Sequence, residues 1–533
     1  MKLILSLIFV SFTFLASAQN DLPTGQIEVV KDFEVRLLET KKIKIIPAPV
    51  SIDSTVRRYE YKLLAPSPAI DYVVPELKPL AINPETKPTY YPLFAKAGYG
   101  SPNSLLAIAS YDRLQGDYFD WGIDFRHLSA DNKKIPLQQF SDSRGRVNGS
   151  YMLSEDMQID GYVDGHFEKV YFYGAEFIPS NEDALKRAFT RYDVNFNLSN
   201  ATSESPAFHY MALFNYLFDK DDLGSRERGL RIGGEVMTSI GASEFPLGIN
   251  VIADLSKLQH NSEKSLNNLL VKPYFHFHTG DLRLRLGATF LLKEEQNEIL
   301  PEIEASYNLF EDMVTLRLGW QGDVVKNNFH SLSSYNPYIH TRLDSIGNMI
   351  SRRIYGGIKA TKGSLSFEVT GEYTSFEDMA FFLQDLDQTH QFNVIYDDGS
   401  YFGLAGSLQF AILKYVTLRS NAFTRFYSLD NEEKPWHRPT LGIDAQASYT
   451  GGGDIYHVSL IFHGENGLPY ITVGGTETRL DPLLDLNLHG DYYFTPAIGA
   501  FLEVNNILGN NRERWADYPS FGFNAKAGVM VRL

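Results

Sequence analysis

The sequence predicts an all-β fold: a single large transmembrane antiparallel β-barrel of about 22 strands, with 16 to 20 as alternatives, behind a Pro-rich periplasmic N-terminal extension. Three observations predict it. From residue 92 onward the chain is a series of segments that alternate apolar and polar side chains, the period of a strand with one dry face and one wet face. Tight turns and long connections follow one another in turn. The chain carries 31 Tyr and 36 Phe with a hydrophobic fraction of only 44%, an aromatic load suited to the girdles of a membrane barrel.

The alternation is clearest in three places. In DLRLRLGATFLL, Leu282, Leu284, Leu286, Ala288, Phe290 and Leu292 oppose Arg283, Arg285, Gly287 and Thr289. Val314, Leu316, Leu318 and Trp320 oppose Thr315, Arg317 and Gly319, and Leu484, Leu486, Leu488, Tyr492 and Phe494 oppose Asp485, Asn487, His489 and Asp491. The segment FGFNAKAGVMVRL, residues 521–533, continues the pattern, with Phe521, Phe523, Ala525, Ala527, Val529, Val531 and Leu533 on one face. Such a strand loses its free edge by pairing with the first strand of a barrel. The turns around 153–156, 279–281, 310–313, 361–364, 451–454 and 495–497 are expected in the periplasm. The long stretches 128–141, 171–187, 323–350, 375–399, 464–480 and 508–519 are expected outside the cell.

The N-terminal part differs in kind. MKLILSLIFVSFTFLASAQ reads as a signal peptide, residues 1–18, cleaved after Ala18, whose apolar run is too short to span a membrane as a helix. Residues 19–92 hold ten of the 24 prolines, which keeps them out of helix interiors and central strands and marks a periplasmic extension or a linker. Residues 93–533 are the expected barrel. There is no cysteine, so neither disulfides nor a lipoprotein anchor are expected, and stability must come from burial and strand pairing.

Chemical classes narrow next. A formal charge of −16 sets nucleic-acid binding aside. No Gly-x-Ser-x-Gly elbow, His-Glu-x-x-His helix or cysteine nucleophile is present, so no enzyme, catalytic residue or cofactor is expected. His276 and His278 lie two apart on one strand with Phe275 and Phe277 on its other face; they can share a metal or simply line the lumen, and lining is the reading adopted. FDKDDLGS, residues 218–225, has acidic side chains but not the spacing of a calcium loop, and reads as solvated surface. The loops NFHSLSSYNPYIHTRLDS and ENGLPYITVGGTETRLDP have a composition suited to stacking sugars, to docking a protein, or to packing among themselves.

The segment 485–533 resembles the last strands of TonB-dependent receptors. The matching residues are Val504, Asn506, Ile507 and Leu508 at a strand end, Trp515, Tyr518 and Pro519 in the loop, and then the closing strand. KDFEVRLLETKKIKIIPAPV, AKAGYG and FRHLSADN are similar to the front of plug-less receptor-type barrels of Bacteroidota. The resemblance implies an outer-membrane location and uptake of a solute. Residues 19–92 are too few for the plug domain of that family, so energised gating by TonB is not implied, and the lumen needs filling by the extension, by inward-folded loops such as 323–350, or by a partner. Leu533 departs from the family's aromatic ending. The expected function is transport across the outer membrane, with a non-transporting scaffold or assembly partner as the alternative. Candidate lumen-lining residues are Arg283, Arg285, Arg317, Asp485, His489, Lys526, Arg532, His276 and His278. The expected contacts are outer-membrane lipid and an envelope protein met through residues 20–92 or the outer loops.

Overall fold

The computed structural model describes residues 90–533 except 114–117, 175–181, 201–207, 241–244, 294–295, 311–312 and the single positions 341, 344, 414, 473 and 511. The signal peptide and nearly all of the Pro-rich segment lie outside the described residues. The barrel belongs to one compact unit, Thr86–Leu533.

Twenty-two antiparallel strands form one closed sheet, as the alternation predicts. The first strand, Leu93–Ser101, pairs with the last, Asn524–Arg532, through Phe94↔Arg532, Gly98↔Gly528 and Ser101↔Ala525. Leu93 and Leu533 exchange both backbone hydrogen bonds, at 3.0 and 2.9 Å, so the closing strand is paired to its last residue. Closure depends on small residues at this seam. A Cβ on Gly528 would come within 2.0 Å of the Ala97 carbonyl oxygen, and Phe501 lays its ring over the Gly98–Gly528 pair, 3% exposed. The ring supplies the burial that two glycines cannot.

Odd residues of the last strand face outward, as read from the sequence: Val529 is 59% exposed, whereas Met530 is 1% exposed and packs inside with Leu106 and Phe501. Leu318 and Phe402 belong to the same outer apolar belt. Tyr118, Phe119, Tyr151, Phe208, Tyr415 and Phe494 stand exposed near the end of the barrel that carries the two barrel termini.

Strand order fixes which connections share an end. The terminal end holds the tight turns at 155–156, 280–281, 363–364 and 494–497; the far end holds the long connections 172–185, 328–346, 430–440, 467–482 and 506–523. The connections 102–103 and 260–262 are short despite lying at the far end. Two far-end loops carry their own two-stranded ribbons, Pro469–Ile471 with Glu477–Arg479 and Glu513–Trp515 with Tyr518–Pro519. A third carries a short helix, Phe329–Tyr335, started by a capping box between Asn328 and Ser331.

The ribbon formed by strands Val314–Asn327 and Gly347–Lys362 does not stay in the wall. Trp320 and Ile354, register partners, are exposed on the outside. Four residues further along, on the same side of the ribbon, Val324 and Ile350 pack instead against Leu291 and Leu300, which share the inner face with Arg285 and Glu302. The ribbon has turned inward across its neighbours. Gly322 permits the crossing, because a Cβ there would meet the Leu300 Cβ at 2.5 Å. Asn268 and Asn348, on strands separated by three others, then join by reciprocal amide hydrogen bonds of 3.0 and 2.8 Å.

Candidate functional site

The inward ribbon delivers residues 328–346 into the far mouth, where buried charges hold them to the wall. Arg187, Phe189 and Arg191 alternate on the inner face of Lys186–Ser199 and oppose Asp219 and Asp221 on the next strand. The side chains of Arg187 and Asp221 are fully buried and pair at 3.2 Å, while Arg187 also donates to the carbonyls of Pro337, at 2.9 Å, and Ile339. Arg191 donates to Asp219 at 3.0 Å and to Glu168 at 2.6 Å. The helix enters this network directly. His330 Nδ1 lies 2.9 Å from Asp219 Oδ2, and Glu227, itself fully buried, accepts from the His330 backbone N–H at 2.9 Å and from Asn328 Nδ2 at 2.6 Å. Lys326 bonds Asp254 and Ser256 across the same space. A buried pair of this kind is weak evidence of net stability, but it fixes one geometry because either partner alone would be costly.

These contacts correct one sequence reading. FDKDDLGS is solvated surface only in part: Lys220, Asp222, Leu223 and Gly224 are exposed, but Asp219 and Asp221 are fully and nearly fully buried and anchor the infolded segment. Its carboxylates face cations and backbone N–H groups, Ser225 N at 2.7 Å from Asp221 among them, rather than an open ligand position.

Above the helix the far-end loops interlock through aromatic rings. Tyr338 stacks on Tyr518 at 3.7 Å between centroids, and Tyr173 meets Tyr518 edge-on at 4.9 Å. Burial pushes the hydroxyls of Tyr338 and Tyr518 well above the usual tyrosine range and that of Tyr173 up to about 12, so all three stay protonated donors. Tyr173 donates to the Pro519 carbonyl at 3.1 Å and Tyr518 to that of His390. Trp515 touches Tyr335, Phe382, Phe392 and His437. His437 is fully buried; its Nδ1 donates to the Phe382 carbonyl at 2.8 Å, and its Nε2 accepts from the Ala516 N–H at 3.4 Å. Burial holds this imidazole neutral, with its pKa down at about 4. Arg514 ties three loops, bonding the His437 carbonyl at 3.0 Å, the Tyr335 hydroxyl at 2.6 Å and Glu465 at 3.0 Å. The aromatic side chains of 328–345 are therefore used inside the cap rather than offered to a sugar or a protein. Trp515 and Tyr518, the loop residues of the receptor-like C-terminal pattern, are its centre.

The nine candidate lining residues fall into two groups on the inner side of the wall. His276 and His278 are register partners of Arg285 and Arg283, so each imidazole has a cation beside it, a poor setting for a metal ion. Among the described residues no group of three or more His, Cys, Asp or Glu is placed to hold a metal. Arg285 pairs with Glu302 at 3.2 Å, and Arg317 with Glu368 at 3.2 Å and Glu304 at 3.5 Å. In the second group Lys526 and Lys96 share Glu503 at 3.3 and 2.9 Å, His489 bonds Asn505 at 3.2 Å, and Asp485 pairs with Arg512 at 2.6 Å. Arg532 lies over the Tyr493 ring at 3.8 Å. Where the inward ribbon leaves the wall, a cavity of about 350 Å³ opens between Arg285, Glu302, Asp323, Arg353, Thr374 and Tyr401.

Of the anchoring residues, Arg187, Arg191, Glu227 and His437 were not singled out in the sequence, whereas Asp219 and Asp221 lie in the segment read as solvated surface and His330 in a loop read for its aromatic composition. KRAFTRYD did carry a signal, two arginines spaced for one strand face, but their partners lie on other elements.

No protein-family model and no curated protein matches the sequence. Solved structures resemble the fold. A ferric enterobactin receptor of Pseudomonas aeruginosa, PfeA, is 12% identical with a TM-score of 0.62 over 83% of this chain and 80% of that one. FpvA of P. aeruginosa, bound to an iron–pyoverdine complex, is 11% identical at 0.63 over 84% and 72%. The FrpB iron transporter of Neisseria meningitidis is 9% identical at 0.65 over 84% and 82%. At these identities the likeness is one of architecture, a closed antiparallel barrel.

Proposed function

We propose that the protein takes up a solute across the outer membrane, with its tight turns in the periplasm and its capped mouth outside. The observation that carries this reading is the inward ribbon: a barrel with a wall of paired charges has its mouth covered by its own segment, held by polar contacts that can exchange for solvent. The architecture shared with proteins named as a ferric enterobactin receptor and an iron transporter supports uptake as the class of activity. Arg283, Arg285, Arg317, His276, His278, Asp485, His489, Lys526 and Arg532 line the path, and a polar solute exchanges with the Arg–Glu pairs it passes. In this reading residues 19–92 are a periplasmic extension and the barrel carries no plug domain.

The absence of cysteine from the sequence makes the test clean. Asn268→Cys with Asn348→Cys, bridged by a short thiol-reactive crosslinker, pins the ribbon to the wall. Flux of small hydrophilic solutes into proteoliposomes is expected to fall on bridging and to return when the bridge is cleaved. Flux that bridging leaves unchanged removes the ribbon from the path.

The interlocked cap favours one second reading, a non-transporting scaffold for other envelope proteins. That reading requires proteoliposomes with no flux in either state and a partner that stays bound through purification.

A further inference from the structure

We infer that the outer wall carries a binding site for one diacyl glycerophospholipid, near the terminal end, in a groove floored by Gly149 and Gly161. The inference uses only the placement of the barrel in a membrane and does not depend on transport.

One line of register partners crosses five strands here: Arg113↔Trp121, Trp121↔Gly149, Gly149↔Gly161 and Gly161↔Phe196. Neighbouring positions on the same face carry large exposed side chains, Val147 at 52% and Tyr151 at 45%, so the two adjacent glycines leave a gap in a belt that is otherwise filled. Trp121 walls the gap on one side; on the other the Phe196 ring leans in over Gly161, 2.5 Å from where a Cβ there would sit, so the slot narrows to an open floor around Gly149. Tyr151, braced edge-on by Phe119 at 6.3 Å, closes it toward the barrel end. The groove encloses about 580 Å³.

An acyl chain entering from the bilayer gains nothing from leaving water, so preference must come from packing and from the headgroup. The rigid aromatic walls supply the first, because bulk chains would leave the slot poorly filled. Arg113 supplies the second. It ends its strand on the outward face beside Trp121, is exposed, and among the described residues has no ion pair. It stands two strand spacings from Gly149, about 10 Å, with Trp121 between them, so its guanidinium reaches past the indole to a phosphate at the edge of the groove. The slot is closed at one end and narrow, which suits lipid chains better than the flat belt of a second barrel.

The test is native mass spectrometry of the purified full chain with palmitoyl-oleoyl phosphatidylglycerol, alongside diacylglycerol as the phosphate-free analogue. One phosphatidylglycerol is expected to survive detergent exchange on the wild type. Gly149→Leu fills the floor, where a Cβ meets only ordinary contacts from 3.4 Å, and is expected to lower retention about tenfold. Arg113→Gln is expected to lower retention of phosphatidylglycerol to that of diacylglycerol. Variants are compared only where their heated and unheated gel mobilities match the wild type, with Gly149→Ala as the milder filling change if leucine prevents folding. Equal retention by wild type and filled groove, no retained lipid, or a groove-dependent dimer overturns the inference.

Discussion

Arg187 and Asp221 show how a polar contact can act as a latch in this molecule. Both side chains are fully buried, and Arg187 also donates to two carbonyls of the infolded loop. Arg187→Leu leaves Asp221 without its cation and is expected to cost about 3 to 5 kcal/mol, felt first where the loop meets the wall. Limited proteolysis should then cut within 328–346 while the barrel still runs as a folded species on unheated gels. Protection equal to the wild type would show that the loop is held by other means. His437 gives a pH dependence of defined sign. Its folded pKa, about 4, lies below the ordinary 6.5, so between those values the unfolded segment takes up a proton that the packed cap excludes. Its stability contribution is full above about 6.5 and falls by about 1.4 kcal/mol per unit as the pH drops toward 4. Trp436 and Trp515, both buried in the far-end loops, report it by fluorescence, and His437→Gln should flatten the titration across that window.

At the scale of elements, the seam and the ribbon set the architecture. The glycine pair at the seam lets the first and last strands approach, and the Phe501 ring covers it with Lys96 4.0 Å from its centre. Phe501→Ala is expected to destabilise closure by about 3 to 5 kcal/mol, lowering the temperature at which the folded band is lost; Phe402→Ala, on the outward face, should change it little. Equal shifts from both would mean that the seam does not limit barrel stability. The ribbon 314–362 shows what alternation conveys and what it omits. Val314, Leu316, Leu318 and Trp320 announce a two-faced strand, and the pattern resumes at Val324 after Gly322. The turn inward is set by Gly322 meeting Leu300 and by Asn348 meeting Asn268, contacts between residues far apart in the chain. A periodic pattern reports which side of a strand is dry, not whether lipid or a neighbouring strand keeps it so.

For the whole molecule, the barrel and its strand number were legible because each strand repeats one rule, and the closing strand declared itself within residues 521–533, of which Asn524–Arg532 are strand. The segregation of long loops to one end followed from strand parity. The cap was legible only in part. Residues 323–350 were named as a segment that could fold inward, but the aromatic composition of 328–345 fits sugar stacking as well as loop packing, and only the Tyr338–Tyr518 stack decides between them. The buried acids of 218–225 were misread because solvation by water and pairing with Arg187 and Arg191 call for the same residues. Residues 328–346 are proposed to close a passage, and single-channel conductance in planar bilayers decides it with a variant whose residues 329–343 are replaced by a short Gly-Ser turn. Brief, infrequent openings are expected for the wild type and a stable open current for the variant. A correctly folded variant that opens no more than the wild type would mean that the infolded segment closes nothing.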